Sequence, residues 1–188
     1  SLTPGERVEA LLSKALATYS LGRGEVSQTI YDAALTLAKA EPKRLRDHVA
    51  SLQRASDANH PYALRKLGNA YSSGHGVKQD EERALAIYKR AAELGDLGSV
   101  NNIGYAYVRG AGTAKDLAKG AAWYLQSAEG GFPTAMRNLA NCYETGEGVK
   151  RDRAKAMSWH RRAAEAGDVD SKAELGYLLI SANGPLKD

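Results

Sequence analysis

One short motif occurs three times in this chain at a constant spacing. A small residue and a Tyr, followed after two residues by Gly-x-Gly, begin at Ala70, at Ala106 and at Cys142, which are 36 residues apart. A fixed period in this range is typical of repeat proteins, in which each unit is one supersecondary element that stacks on its neighbours. The period therefore predicts an array of like units.

Other positions of the unit recur in the same register. A large aliphatic residue and a small residue precede the Tyr, an Asp follows the glycine pair, and Ala and Gly close the unit. These series are Leu67/Ile103/Leu139/Leu175, Gly68/Gly104/Ala140/Gly176, Asp80/Asp116/Asp152, Ala92/Ala128/Ala164 and Gly95/Gly131/Gly167. The register predicts repeats at 60–95, 96–131 and 132–167 and a partial fourth copy at 168–188.

Each unit is predicted to be a pair of helices. In the first copy, Leu64, Leu67 and Tyr71 follow a helical spacing. Gly74 and Gly76 end that helix, because glycine adopts left-handed backbone angles without steric cost.

The second helix of the unit has its own start and stop signals. Asp80 is placed to accept a hydrogen bond from the free N–H groups where that helix begins, and Gly95 ends it. Gly68 lies in the middle of the first helix, where glycine costs about 1 kcal/mol relative to Ala. Its recurrence predicts close contact between the two helices at that point.

Residues 1–59 do not follow the period and are predicted to form three helices. Thr3 and Glu6 have the spacing of a capping box that opens a helix ending near Ser20. Two further helices are expected at 26–40 and 43–58. We interpret this segment as an N-terminal cap that continues the solenoid, because a repeat array buries its terminal apolar face only with such a cover.

Composition limits the classes of partner. The net charge is +4, and no run of Lys and Arg is long enough to act as a nucleic-acid-binding arm. No apolar run reaches the roughly 18 residues that a membrane-spanning helix needs. We therefore expect no nucleic-acid partner and no membrane insertion.

The sequence contains no recognisable catalytic constellation. Nucleophile-elbow, zinc-protease and phosphate-loop motifs are absent, and the four histidines are not paired at metal-ligand spacing. Cys142 stands where other copies have Ala, which favours a small buried side chain over a reactive thiol. His160, at a core position, is expected to be packed, and His75, in a turn, to be solvated. We expect no enzymatic activity, no cofactor and no metal.

The consensus of the three copies resembles the Sel-one-like repeat (SLR) family, a relative of the tetratricopeptide repeat. The residues that carry the likeness in the first copy are Ala63, Leu67-Gly68, Tyr71, Gly74-x-Gly76-Val77, Asp80, Ala84, Ile87-Tyr88, Ala91-Ala92 and Gly95-Asp96. Departures are few, and they are Gly120, Ser127, Phe132 and His160. The resemblance implies an all-α fold, a right-handed superhelix of antiparallel helix pairs whose first helices line a concave face. It also implies a non-enzymatic scaffold or adaptor that binds proteins, most often bacterial.

Candidate binding residues follow from this resemblance, because in such arrays the positions two before and two after the first-helix Leu point into the groove. Together with neighbouring residues they form the predicted groove set: Tyr62, Arg65, Asn69, Asn101, Tyr105, Arg109, Arg137, Asn141, Glu144 and Tyr177. Arginine, asparagine and tyrosine side chains in a row suit an extended, partly acidic peptide segment. The alternative is that they are ordinary polar residues on a solvated face.

A second candidate surface lies at the C-terminal end of the sequence. Its apolar residues are Leu175, Leu178, Leu179 and Ile180, which no following helix in this sequence covers. They predict docking onto a partner or onto a second copy of the chain.

Narrower functions stay open within the family resemblance. An immunity protein that blocks a secreted toxin and a self-assembling structural protein are both compatible with it. A cell-wall hydrolase is disfavoured, because the groove positions offer only Glu144 and Asp170 as acids. The resemblance implies a bacterial periplasmic or cytoplasmic protein, with the periplasm favoured.

Overall fold

The computed structural model describes residues 2–39 and 42–183, without the side chains of residues 25, 42 and 177–183. Within this part, every regular element is an α-helix. The predicted all-α class is therefore confirmed.

The described residues form ten helices that follow one another along the chain. Their bounds are α1 Pro4–Ser20, α2 Gly24–Lys39, α3 Pro42–Asp57, α4 Pro61–Ser73, α5 Glu81–Glu93, α6 Leu97–Arg109, α7 Leu117–Glu129, α8 Pro133–Thr145, α9 Arg153–Glu165 and α10 Val169–Asn183. The predicted helix at 26–40 begins two residues earlier, at Gly24, and its last predicted residue lies outside the described part.

Side-chain caps begin these helices where the sequence predicts them. The side chains of Asp80, Asp116 and Asp152 each accept a hydrogen bond from the backbone N–H three residues later, at 2.9, 2.9 and 3.0 Å. Thr3 and Glu6 form the reciprocal capping box at the start of α1. Each cap satisfies donors that would otherwise lack a partner in the first turn.

The glycine pairs end the first helices and also allow close packing. Gly74 and Gly146 cap α4 and α8 with φ values of 73° and 84°, as predicted. The second glycine of the pair has a further role, because a Cβ on Gly76 would lie 2.7 Å from the carbonyl oxygen of Leu45 in α3. A Cβ on Gly148 would lie even closer to the backbone of Leu117. Only a residue without a side chain fits against these helix starts.

The mid-helix glycines make the predicted close contacts. A Cβ on Gly68 would lie 2.5 Å from the ring of Tyr88, and one on Gly104 would lie 2.7 Å from the ring of Tyr124. In the first two repeats, the two helices therefore approach until the Tyr ring of one contacts the glycine backbone of the other.

By internal contacts the chain divides into two compact units, Ser1–Asp96 and Leu97–Asp188. The core of the first unit joins the N-terminal helices to the first repeat through Leu12, Tyr31, Leu52, Tyr62 and Leu67. The core of the second unit is centred on Tyr124, Met136, Leu139, Cys142 and Ala163.

Candidate functional site

Arg65, the first predicted groove residue, forms an ion pair inside the first unit. Its Nε lies 2.8 Å from Oδ1 of Asp96, and the two side chains are only 15% and 1% exposed. This nitrogen is buried and makes no hydrogen bond, so its contact with Asp96 is an ion pair. The hydroxyl of Tyr19 in α1 donates to the other oxygen of Asp96 at 2.7 Å.

Arg137 has the same arrangement within the second unit. Its Nε lies 3.1 Å from Oδ1 of Asp168, and its Nη2 lies 3.5 Å from Asp170. Asp168 also accepts the backbone N–H of Ser171 at 2.8 Å, at the start of α10. Burial opposes ionisation of Asp168, but the bond from Ser171 and the charge of Arg137 outweigh it, and the pKa of Asp168 is lowered.

The middle repeat lacks both members of this pair. Asn101 stands in place of the Arg and Phe132 in place of the Asp. Asn101 is buried and accepts a hydrogen bond from Nδ2 of Asn138 at 2.9 Å. The joint loss of Arg and Asp in one copy is the sequence signal that these two positions pair.

The prediction that Tyr62 lines a binding groove is wrong, because its side chain does not reach the surface. Its side chain is fully buried, and its hydroxyl donates to the carbonyl oxygen of Ser27 at 3.2 Å. The rings of Tyr19 and Tyr31 lie 4.7 and 5.9 Å from its ring. The N-terminal helices cover this position, so Tyr62 is a core residue.

Asn69 is half-buried in the first unit, where its side-chain oxygen accepts the hydroxyl of Tyr88 at 2.8 Å. This bond links α4 to α5. The amide of Asn69 therefore takes part in packing the first repeat.

Predicted groove residues that reach solvent come together on α6 and α8 of the second unit. Tyr105 is 53% exposed, and Arg109, one turn further along α6, is also exposed. Asn141 on α8 is exposed, and Glu144 is half-buried. The bond between Asn138 and Asn101 joins these two helices side by side. We call the surface formed by Tyr105, Arg109, Asn141 and Glu144 the α6–α8 face.

The α6–α8 face combines groups suited to binding another chain. Tyr105 supplies an apolar ring with a polar tip, Arg109 a cation, Asn141 an amide and Glu144 a carboxylate. Such a set can hold both the backbone and the side chains of a polypeptide.

The remaining predicted binding residues lie in the last helix, α10. Leu175 is half-buried. The side chains of Tyr177, Leu178, Leu179 and Ile180 lie outside the described residues.

The histidines and the cysteine have the environments expected from their positions. Cys142 is buried, and burial raises the pKa of its thiol to about 11. His160 is fully buried, with its pKa lowered by burial, and His75 is exposed. In the part of the chain that the structure describes, no cluster of three His, Cys, Asp or Glu is placed to hold a metal. The helices described there include none long and apolar enough to cross a membrane.

A family model confirms the predicted resemblance. The model of the Sel1 repeat matches this chain over residues 61–96, 99–132 and 133–168. No curated protein matches the chain.

Solved structures with the same architecture include the Sel1 repeat protein from Oxalobacter formigenes, with a TM-score of 0.71, 28% identity and coverage of 94% of this chain and 65% of that one. The protein c5321, a protective antigen present in uropathogenic Escherichia coli strains and displaying an SLR fold, has a TM-score of 0.65, 28% identity and coverage of 96% and 43%. Cysteine-rich protein B of Helicobacter pylori has a TM-score of 0.57, 20% identity and coverage of 71% and 96%, which shows the fold alone. The chain thus spans less than two thirds of the length of the first two proteins, and its predicted fold class of paired repeat helices is confirmed.

Proposed function

Because the chain belongs to the Sel1 repeat family, whose members are generally non-enzymatic scaffolds for protein–protein interaction, we propose that it binds a partner protein through the α6–α8 face. The single observation that carries this proposal is the exposure of Tyr105. Tyr105 is 53% exposed, whereas every other Tyr, Trp and Phe side chain that the structure describes is half-buried or buried.

Comparison with the other full copies indicates that the repeat does not need an aromatic ring at position 105. The corresponding residues in the first and third copies are Asn69 and Asn141, so an aromatic ring is not required there for building the repeat. A tyrosine that the fold does not need, held on a rigid helix, is the type of residue that anchors protein interfaces.

The exposed guanidinium of Arg109 favours a partner segment that carries a carboxylate. Arg65 and Arg137, which suggested an acidic partner, are already neutralised by Asp96 and Asp168. Arg109 is exposed one helical turn beyond Tyr105, with no carboxylate of the described residues within ion-pairing distance. An acidic residue placed one turn from the anchor contact would pair with it.

The test compares two double variants in affinity capture from cells of the source organism. Tyr105→Ala with Arg109→Ala removes the anchor and the cation of the α6–α8 face. Gln126→Ala with Arg161→Ala is the matched control, because both residues are exposed but lie on second helices.

We expect the control to retain the partner and the Tyr105/Arg109 variant to bind it at least tenfold more weakly, a difference of about 1.4 kcal/mol or more. A partner that binds both variants equally would exclude this face as the site.

A further inference from the structure

The first unit contains a cavity of about 140 Å³ where the N-terminal helices meet the first repeat. Its floor includes three buried polar side chains from three different helices, namely Tyr31 of α2, His48 of α3 and Lys66 of α4. Exposed Asp32 and His75 also line it and mark its opening. None of these residues belongs to the α6–α8 face.

Lys66 is a buried cation whose hydrogen bond and ring contacts are to uncharged groups. It is 3% exposed, and its Nζ donates to the side-chain oxygen of Gln28 at 2.5 Å. The same nitrogen lies 4.3 and 4.9 Å from the ring centroids of Tyr31 and Tyr62. Within the described residues, no carboxylate forms an ion pair with it. Burial lowers the pKa of Lys66 to about 7.

Gln28 lies between Lys66 and the carboxylate of Asp32, so these two charges are linked only indirectly. Its amide nitrogen donates to Asp32 at 2.8 Å while its oxygen accepts from Lys66. Asp32 itself is exposed at the opening, where water screens its charge. The electrostatic cost of burying an ammonium is therefore not offset by direct pairing.

His48 also lines this cavity, and one of its ring nitrogens is buried without a hydrogen-bond partner. It is 2% exposed, and its Nε2 lies 3.3 Å from the hydroxyl of Tyr31. Its Nδ1 is buried and has no hydrogen-bond partner. If Nε2 accepts the Tyr31 proton, a neutral imidazole carries its own proton on Nδ1 as a free donor. A buried donor left without an acceptor costs about 1–3 kcal/mol.

We propose that this cavity binds a carboxylate group, which accepts a charge-assisted hydrogen bond from Lys66 Nζ. A carboxylate supplies both the negative charge that the buried ammonium lacks and an acceptor oxygen for its N–H groups. The cavity has the volume of about four or five water molecules of roughly 30 Å³ each, which suits acetate or the end of an acidic side chain. The site rests on residues outside the α6–α8 face, so either proposal can fail without the other.

The test is an NMR titration of the isotope-labelled full chain, following the amides of Tyr31, His48 and Lys66. The probes are acetate and its neutral analogue acetamide. Lys66→Met removes the ammonium and keeps an unbranched apolar side chain that is one atom shorter. Lys89→Met is the matched control, because Lys89 is an exposed lysine on α5 of the same unit.

We expect saturable shifts with acetate in the wild type and in the control, and affinity at least tenfold weaker for acetamide and for Lys66→Met. The side-chain ¹³Cε signal of Lys66 gives a second readout in the wild type alone, in case the Met variant does not fold. Saturating acetate should raise the pKa of Lys66 by at least one unit.

Two capped tripeptides, Ala-Asp-Ala and Ala-Asn-Ala, distinguish the sources of the carboxylate. Displacement of acetate by the Asp peptide alone supports a site for an acidic side chain of a protein, and no displacement by either supports a free small acid. Absence of saturable acetate shifts at these residues, or equal affinity of Lys66→Met and the wild type, would overturn the proposal.

Discussion

At the scale of single residues, the Arg65–Asp96 pair shows why a groove-facing position need not be a binding residue. Both side chains are largely withdrawn from water, and Tyr19 satisfies the second carboxylate oxygen. Removing one partner of such a pair leaves a buried charge uncompensated, which costs about 3 kcal/mol. The pair therefore stabilises the contact between the first repeat and α1.

We predict strong energetic coupling between Arg65 and Asp96. In a double-mutant cycle with Arg65→Met and Asp96→Asn, the coupling in the free energy of unfolding should be about 1–3 kcal/mol by urea denaturation. The Arg54–Glu9 pair is the matched control, because its side chains are 66% and 58% exposed and its coupling should stay below about 1 kcal/mol. Equal coupling in the two cycles would show that burial does not strengthen the Arg65 pair.

Acid should destabilise the first unit through His48. Burial lowers the pKa of His48 from 6.5 to about 4, so between these values the unfolded chain binds a proton that the folded chain does not. The corresponding stability is fully present above pH 6.5 and is lost as the pH falls toward 4, on the order of 3 kcal/mol in total.

His48→Gln should remove this loss, whereas His75→Gln, at an exposed position, should keep it. Urea titrations of both variants at pH 6.5 and pH 4.5 measure the difference. His160 contributes equally in both variants, so it does not affect the comparison. The same loss of stability in His48→Gln as in the wild type would show that His48 is not its source.

At the scale of helices, the sizes of two residues that face each other across each helix pair are complementary. The first and second copies pair a glycine with a tyrosine, Gly68 with Tyr88 and Gly104 with Tyr124. At the corresponding positions the third copy has Ala140 and His160, both fully buried. A larger residue on the first helix thus accompanies a smaller ring on the second, which conserves the space between the helices.

This exchange predicts a rescue between variants. Gly68→Ala places a methyl group 2.5 Å from the Tyr88 ring and should lower the free energy of unfolding by about 1–3 kcal/mol. Adding Tyr88→His should recover part of that loss, measured by urea denaturation. Gly176→Ala is the control, since its Cβ meets nothing within 4 Å, and it should stabilise the chain by up to about 1 kcal/mol. Additive effects of the first two substitutions would contradict the exchange.

The accuracy of the sequence predictions depended on how local each feature is. The Asp80 cap and the Gly74 stop were predictable, because each depends on backbone within a few residues. The burial of Tyr62 and the pairing of Arg65 were not, because both depend on how the N-terminal helices pack. The bond from Tyr19 to Asp96 joins residues 77 positions apart. The cavity lined by Tyr31, His48 and Lys66 likewise combines three helices whose relative positions the 36-residue period does not predict.

At the scale of the whole molecule, the features that recur every 36 residues build the fold, and those that differ between copies are available for function. The recurring caps, helix-ending glycines and buried rings have structural roles. Tyr105 differs from Asn69 and Asn141, its counterparts in the first and third copies, and it is exposed. The central claim is that this residue marks the surface where a partner protein binds.

Site-specific photo-cross-linking tests that claim most directly. A benzophenone amino acid is placed at position 105 in one variant and at position 126, an exposed site on α7, in the other. After irradiation in cells of the source organism, we predict a discrete cross-linked protein from position 105 and none from position 126. Cross-linking of the same protein from position 126 and not from position 105 would contradict the assignment of the α6–α8 face as the binding site.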